Sequence, residues 1–195
     1  MRVLVADDNP IVALGLVERL RTLGHDPIGP AADGAEAIEL ARASAPDLYL
    51  LDIEMPNVDG LEAATRLTEE GLRRPVVVVT GVDDPGLIER SIASGVSAYL
   101  TKPVDPLELQ AALQLAATRH AEFEALEAEV DRAHQALEDR KLVERAKGLL
   151  MSALDLSEAD AFRRLQVTAR ERNLRLVDVA ARIVEQQSVL APKSA

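Results

Sequence analysis

At 195 residues, with 48% hydrophobic and only 2% aromatic side chains, the chain has room for one large domain or two small ones, with a core of Leu, Val, Ile and Ala. It contains no Cys, which excludes disulfide scaffolds and thiolate metal sites, and its formal net charge of −11 argues against a uniformly polyanion-binding surface. The apolar run before Asp7-Asp8 is too short for a signal peptide, and runs such as Val76 to Val79 are far short of a membrane span, so a soluble, cytoplasmic protein is expected.

Strand candidates recur at Val3–Ala6, Asp26–Gly29, Leu48–Leu51, Val76–Thr80 and Ala98–Thr101. Between them, Ile11–Leu23, Ala35–Ala43, Leu61–Leu72 and Gly86–Ser94 carry apolar residues three and four apart, the helical spacing. Start signals agree: Pro10, Pro85 and Pro106 each follow an acid or amide that can cap a first turn. Gly24 and Gly95 stand where helices should close. Strand and helix alternating in this way predict an α/β fold, a five-stranded parallel sheet covered on both faces.

From Leu107 to about Met151 there is no Pro and a single Gly, so one long helix is expected. Leu109, Ala112, Ala116, Phe123, Leu126, Val130, Ala133 and Leu137 mostly alternate four and three apart, interrupted by Arg119, which predicts a heptad seam. Beyond Leu137 the apolar stripe widens to Leu142, Val143, Ala146, Leu149 and Leu150, marking a new packing environment. Two more helices are expected, one after Ser157-Glu158-Ala159-Asp160 and one over Leu174–Val184, before a frayed tail from Gln186. The expected organisation is residues 1–117 as the α/β domain, 118–136 as a coiled-coil linker, 137–188 as an all-α three-helix domain and 189–195 as a tail. Charge follows the same division. Residues 1–117 hold 9 Lys+Arg against 19 Asp+Glu, whereas residues 140–182 hold 10 against 6. A basic segment on an acidic chain suits either a polyanion partner or a solvated helical surface.

The chemistry is concentrated at the strand ends, which converge in a parallel sheet. Asp7-Asp8, Asp52, Thr80-Gly81 and Lys102-Pro103 follow the first, third, fourth and fifth strands. Three close carboxylates repel one another, and a hard dication with oxygen ligands relieves that conflict; Mg²⁺ fits, with room left for a phosphoryl oxygen. Lys102 adds a point positive charge and Thr80 a hydroxyl donor. Together they describe a phosphoryl site in which the Asp52 carboxylate is the nucleophile.

With Met55-Pro56, Asp59-Gly60 and Tyr99 added, residues 1–117 resemble the receiver domain of two-component response regulators, with its flavodoxin-like strand order. That resemblance implies that Asp52 accepts phosphate from a sensor histidine kinase. It further implies that Asp8 binds Mg²⁺ directly and Asp7 through water, with the backbone carbonyl of Glu54 as another ligand. Thr80 and Tyr99 would form the pair that reports phosphorylation. Gly81 departs from the Ala most common there, which should loosen the loop without removing chemistry.

The stretch Leu137 to Met151, with its Ala146-Lys147-Gly148 run, is similar to the opening of the ANTAR domain, the RNA-binding module of transcription antitermination regulators. Glu158, Ala161-Phe162, Leu165 and Val179-Ala180 continue the pattern. The resemblance implies binding of RNA with paired stem-loops and, through the seam, a homodimer promoted by phosphorylation. Candidate RNA contacts are Arg140, Lys141, Arg145, Lys147 and Arg164, with Arg140 and Lys147 foremost. With Phe162 the one aromatic nearby, recognition by shape and backbone is expected over base stacking. Alternatives are a DNA-binding helix-turn-helix, disfavoured by a turn without Gly at Arg172–Arg175, and a protein-docking bundle. An aspartyl-phosphate phosphatase would need a second Asp two residues after the first, where this chain has Glu54. No turnover of an external substrate is therefore expected.

Overall fold

The computed structural model describes residues 1–81 and 95–190. The helix expected over Gly86–Ser94 and the end of the tail lie outside the described residues. Five parallel strands, β1 (Arg2–Ala6), β2 (Asp26–Ala31), β3 (Leu48–Asp52), β4 (Val76–Thr80) and β5 (Ala98–Thr101), form one sheet in the order β2-β1-β3-β4-β5. Helices α1 (Pro10–Thr22), α2 (Gly34–Ser44) and α3 (Gly60–Glu69) connect the strands. They are followed by α4 (Pro106–Leu154), α5 (Glu158–Arg172) and α6 (Leu176–Leu190). The chain divides into two compact units, Met1–Glu124 and Ala125–Ala195.

Alternation along the strands decides the layers of the first unit, because successive side chains point to opposite faces. Leu4, Tyr49, Leu51 and Val78 face α2 and α3, where Ile38, Ala41, Leu61 and Leu67 complete one core. Val3, Val5, Leu50 and Val79 face the other way, toward Leu16 and Leu20 of α1 and Leu109 and Leu113 of α4. Both faces are buried, which is why the central strands read as unbroken apolar runs.

The start signals hold where they are described. Asn9 accepts hydrogen bonds from the amides of Ile11 and Val12, and Asp105 from those of Leu107 and Glu108. Asp33 and Asp59 cap α2 and α3 in the same way, through the amides of Glu36 and Glu62. Each acid satisfies a donor that the first helical turn leaves open.

The heptad seam needs a correction at its beginning. Leu109, Ala112 and Ala116 are buried in the first unit's core, so they seal the sheet and are not part of a free helical stripe. What remains exposed is Ala133 and the larger Phe123, Leu126, Val130 and Leu137, these four at 42%, 59%, 45% and 50% of their surface. In the second unit, Ala146, Leu165, Ala169, Val179 and Ala180 form the buried centre of α4, α5 and α6. The turn between α5 and α6 lacks Gly, but Asn173 takes the left-handed conformation (φ 51°) that a glycine would otherwise supply. The missing Gly is therefore no argument against a tight helical turn here.

The loop after β3 is fixed from both sides. Gly60 donates its amide to the carbonyl of Ile53, and Gly34 donates to that of Val58. A Cβ on Gly60 would collide with the Asp52 carbonyl oxygen, and one on Gly34 would lie 2.5 Å from the Val58 oxygen. The start of α3 thus rests directly against the backbone of Asp52. Gly60→Ala is expected to cost about 1–3 kcal/mol, as overpacked interiors do, lowering the thermal midpoint seen by circular dichroism. An unchanged midpoint would mean that the loop has slack.

Candidate functional site

The parallel register brings the acids together. β1 pairs with β3 so that Ala6 stands opposite Leu51, which places Asp7 and Asp52 one step further along adjacent strands. Asp7, Asp8 and Asp52 each offer a carboxylate oxygen, and the three oxygens lie within 4.8 Å of one another. Asp7 and Asp52 are buried, while Asp8 is exposed.

Lys102 arrives from the far edge of the sheet. Thr80 pairs with Thr101, and the amide of Lys102 donates to the carbonyl of Thr80 at 2.8 Å. Its Nζ lies 2.7 Å from Asp52 Oδ2 and 2.7 Å from Asp7 Oδ2. The contact with Asp52 is a hydrogen bond, whereas Asp7 Oδ2 is a buried oxygen with charge nearby and no aligned donor. The other oxygens are held by backbone: Asp7 Oδ1 accepts from the amide of Asn9, and Asp52 Oδ1 from that of Glu54.

Burial pushes the Asp52 carboxyl above its ordinary pKa, helped by the Asp7 charge and opposed by Lys102. Burial also pulls on Lys102, but its contacts with Asp52 and Asp7 outweigh that pull and raise its pKa. Lys102 therefore stays charged, and one ammonium faces three carboxyl groups. The deficit of positive charge and the poorly satisfied Asp7 oxygen fit a hard divalent cation bound through oxygen. Asp7, Asp8 and Asp52 are the residues that would hold such a cation, Mg²⁺ by the oxygen-only donor set.

Thr80 is fully buried at the end of β4, and Tyr99 is half-buried on β5, packed against the core that faces α2 and α3. The places of Thr80 at the end of β4 and of Tyr99 on β5 were expected from the sequence. The contributions of Asn9 and Gly60 were not, since one acts through a backbone amide and the other through the absence of a side chain.

The expected nucleic-acid contacts fall into two groups. Arg140, Lys141, Arg145 and Arg164 are exposed, and Lys141 pairs with Glu138 across one turn. Lys147 stands apart and is only 8% exposed. Its Nζ binds Glu158 Oε1 at 2.7 Å and both oxygens of Glu144, at 2.9 and 3.0 Å. Donating to the Glu158 carboxylate, and to that of Glu144, raises its pKa, and Lys147 lowers that of Glu158. Position 147 follows Ala146 and lies one turn after Val143, so it belongs to the buried side of α4. Its charge ties α4 to the first turn of α5.

Because the folded state raises the pKa of Asp52, ionising it costs stability. That cost appears as pH rises past the unfolded-state value of about 4 and is complete above the folded value. Asp52→Asn removes it. Without divalent metal, the variant is expected to melt higher than the parent at pH 7, with the advantage fading toward pH 4. Thermal midpoints against pH check this. A variant less stable at pH 7 would mean that Lys102 gains more from the charge than burial costs.

A response regulator receiver domain model matches residues 3–114, and an ANTAR domain model matches residues 131–184. Over 184 residues, 94% of this chain and 89% of the relative, the sequence is 41% identical to the transcriptional regulatory protein PdtaR of Mycobacterium tuberculosis. Among solved structures, the signal receiver domain of the response regulator NarL from Mycobacterium tuberculosis superimposes with a TM-score of 0.56 at 34% identity. It covers 59% of this chain and 94% of that chain. Chemotaxis protein CheY4 of Vibrio cholerae gives a TM-score of 0.55 at 27% identity, covering 58% of this chain and 95% of its own. The chain belongs to the response regulators that join a receiver domain to an ANTAR domain, and it is a two-component regulator of gene expression.

Proposed function

We propose that phosphorylation of Asp52 by a sensor histidine kinase controls binding of structured RNA by the helical unit, and through it transcription antitermination in the cytoplasm. In the phosphoryl step an Asp52 carboxylate oxygen attacks phosphorus, the P–N bond of the kinase phosphohistidine breaks, and the imidazole leaves with that electron pair. Lys102 pairs with the charge on the transferred group, and the Thr80 hydroxyl turns toward it, with Tyr99 responding. Mg²⁺, held by Asp7, Asp8, Asp52 and the Glu54 carbonyl, supplies neutralising charge when bound. The chemistry is self-directed, so no external substrate is turned over.

The observation that carries RNA binding is a cationic strip on α4. Lys141, Arg145, Gly148 and Ser152 follow one another at four, three and four residues, and all are exposed, so they share one face. A Cβ on Gly148 would meet nothing within 4 Å, so packing does not require glycine there. Glycine in a helix interior costs about 1 kcal/mol against alanine. A bare stretch of backbone between Arg145 and Ser152 lets a phosphate group approach closely. Arg140 and Arg164 add exposed positive charge on other faces, Arg140 beside Phe162 and Arg175, whereas Lys147 is tied inward to Glu158.

Three expectations follow from this reading. A small phosphodonor should form an acid-stable, alkali-labile acyl phosphate on Asp52 in the presence of Mg²⁺, and Asp52→Asn should abolish it. Full-level labelling of that variant would place the nucleophile elsewhere. The full chain should bind RNA with paired stem-loops more tightly than duplex DNA, with a log-log salt slope of roughly −3 to −5. Arg145→Ala and Lys141→Ala should weaken binding without loss of helicity, and equal affinity for random duplex DNA would favour the DNA-binding alternative.

The stripe Phe123, Leu126, Val130 and Leu137 supports a homodimer promoted by phosphorylation, which brings two ANTAR domains to one two-loop RNA by effective concentration. Leu126→Glu should abolish dimerisation and the gain in RNA affinity while leaving phosphorylation intact. Sedimentation of both phosphorylation states decides it, and a constitutive dimer with phosphorylation-independent affinity would sink the switch.

A further inference from the structure

At the opposite end of the sheet from Asp52, the first unit holds a half-enclosed recess of about 300 Å³. It lies where the chain enters β4 and β5, against the α4 segment around Arg119 to Phe123. The size is at the small end of cavities that take metabolites. Its walls are unusual for this acidic unit: among the described residues Arg73, Arg74, Arg119 and His120 line it and no carboxylate does, the exposed Glu124 reaching only His120 Nε2, at 3.3 Å. Arg119 is exposed and has no ion-pair partner among the described residues.

Two of the cations are held in place before any ligand arrives. Arg74 donates from Nε to the carbonyl of Pro46 at 3.1 Å and from Nη1 to that of Arg73 at 3.0 Å. The Arg73 guanidinium lies over the Phe123 ring, 4.3 Å from its centroid. A guanidinium already fixed loses less freedom when it binds an anion, and its fork matches the oxygens of a phosphate. Val76, Val96 and Phe123 give the recess an apolar side that a bare inorganic ion would leave uncovered.

We infer that this recess binds a small organic phosphate, its anionic head toward Arg74 and Arg119 and its uncharged body against Val76, Val96 and Phe123. The site is independent of Asp52, since the two stand at opposite ends of β4. Arg119, which reads in the sequence as an interruption of the heptad pattern, is a ligand-binding residue in this account.

Ribose 5-phosphate is a suitable probe, titrated by calorimetry into the full-length, unphosphorylated protein with a chelator present to keep metal from the carboxylates. Saturable binding at about 1 mM or tighter is expected, about tenfold tighter than inorganic phosphate and with no binding of ribose. Arg119→Gln, on an exposed helical position, should weaken it about tenfold, as should Arg74→Gln, while Asp52→Asn leaves it unchanged. Absence of saturable binding up to about 10 mM would overturn the inference, as would equal affinity for inorganic phosphate. So would full binding by the Arg119→Gln protein, or loss of binding in Asp52→Asn.

Discussion

One lysine makes the receiver site possible. Asp7 and Asp52 end adjacent buried strands, and without a cation their carboxylates would repel across a few ångströms in a medium that solvates neither. Lys102 bridges them at 2.7 Å to each. It reaches that position because β5 is registered on β4, Thr80 opposite Thr101, and the Lys102 amide is tied to the Thr80 carbonyl. The bridge is incomplete by design of its charges. One ammonium leaves the acidic cluster negative and Asp52 with a raised pKa, so the site stays receptive to further positive charge.

The same economy appears along α4. Its opening turns give Leu109, Leu113 and Ala116 to the receiver core, and its closing turns give Ala146 to the core of the second unit. Between them the helix keeps large apolar residues in solvent, Leu126 at 59% exposure the most open of those between the two cores. A helix that belongs to two cores in turn is held at both, which explains how so long an element persists with a largely polar middle.

Charge in the second unit also serves two purposes. Lys147 gives up its ammonium to Glu144 and Glu158, tying two helices at a point where neither carboxylate is buried. Such a link contributes mainly geometry, since exposed partners leave little net energy in an ion pair. Its neighbours Lys141 and Arg145 remain on the outer face of the same helix. Two cations two residues apart, Arg145 and Lys147, thus have opposite surroundings.

Several features were legible in the sequence because they depend on local pattern. Apolar runs of strand length, helical spacing between them and, for the helices that open on Pro10 and Pro106, a capping Asn or Asp before the Pro mark the receiver's described elements, and the acids after β1 and β3 with Lys102 after β5 mark the site. The continuity of α4 follows from the lack of Pro over Leu107–Met151. Tertiary structure alone decided which face each apolar residue serves. Leu109 and Leu126 fit one heptad pattern, yet the first is fully buried by the sheet and the second is exposed, because periodicity records a stripe and not what covers it. It likewise decided that Lys147 is an internal tie to Glu158 and that Arg119 joins the distant pair Arg73-Arg74 in lining one recess. Each depends on residues brought together across the fold, and spacing along the chain carries no trace of that proximity.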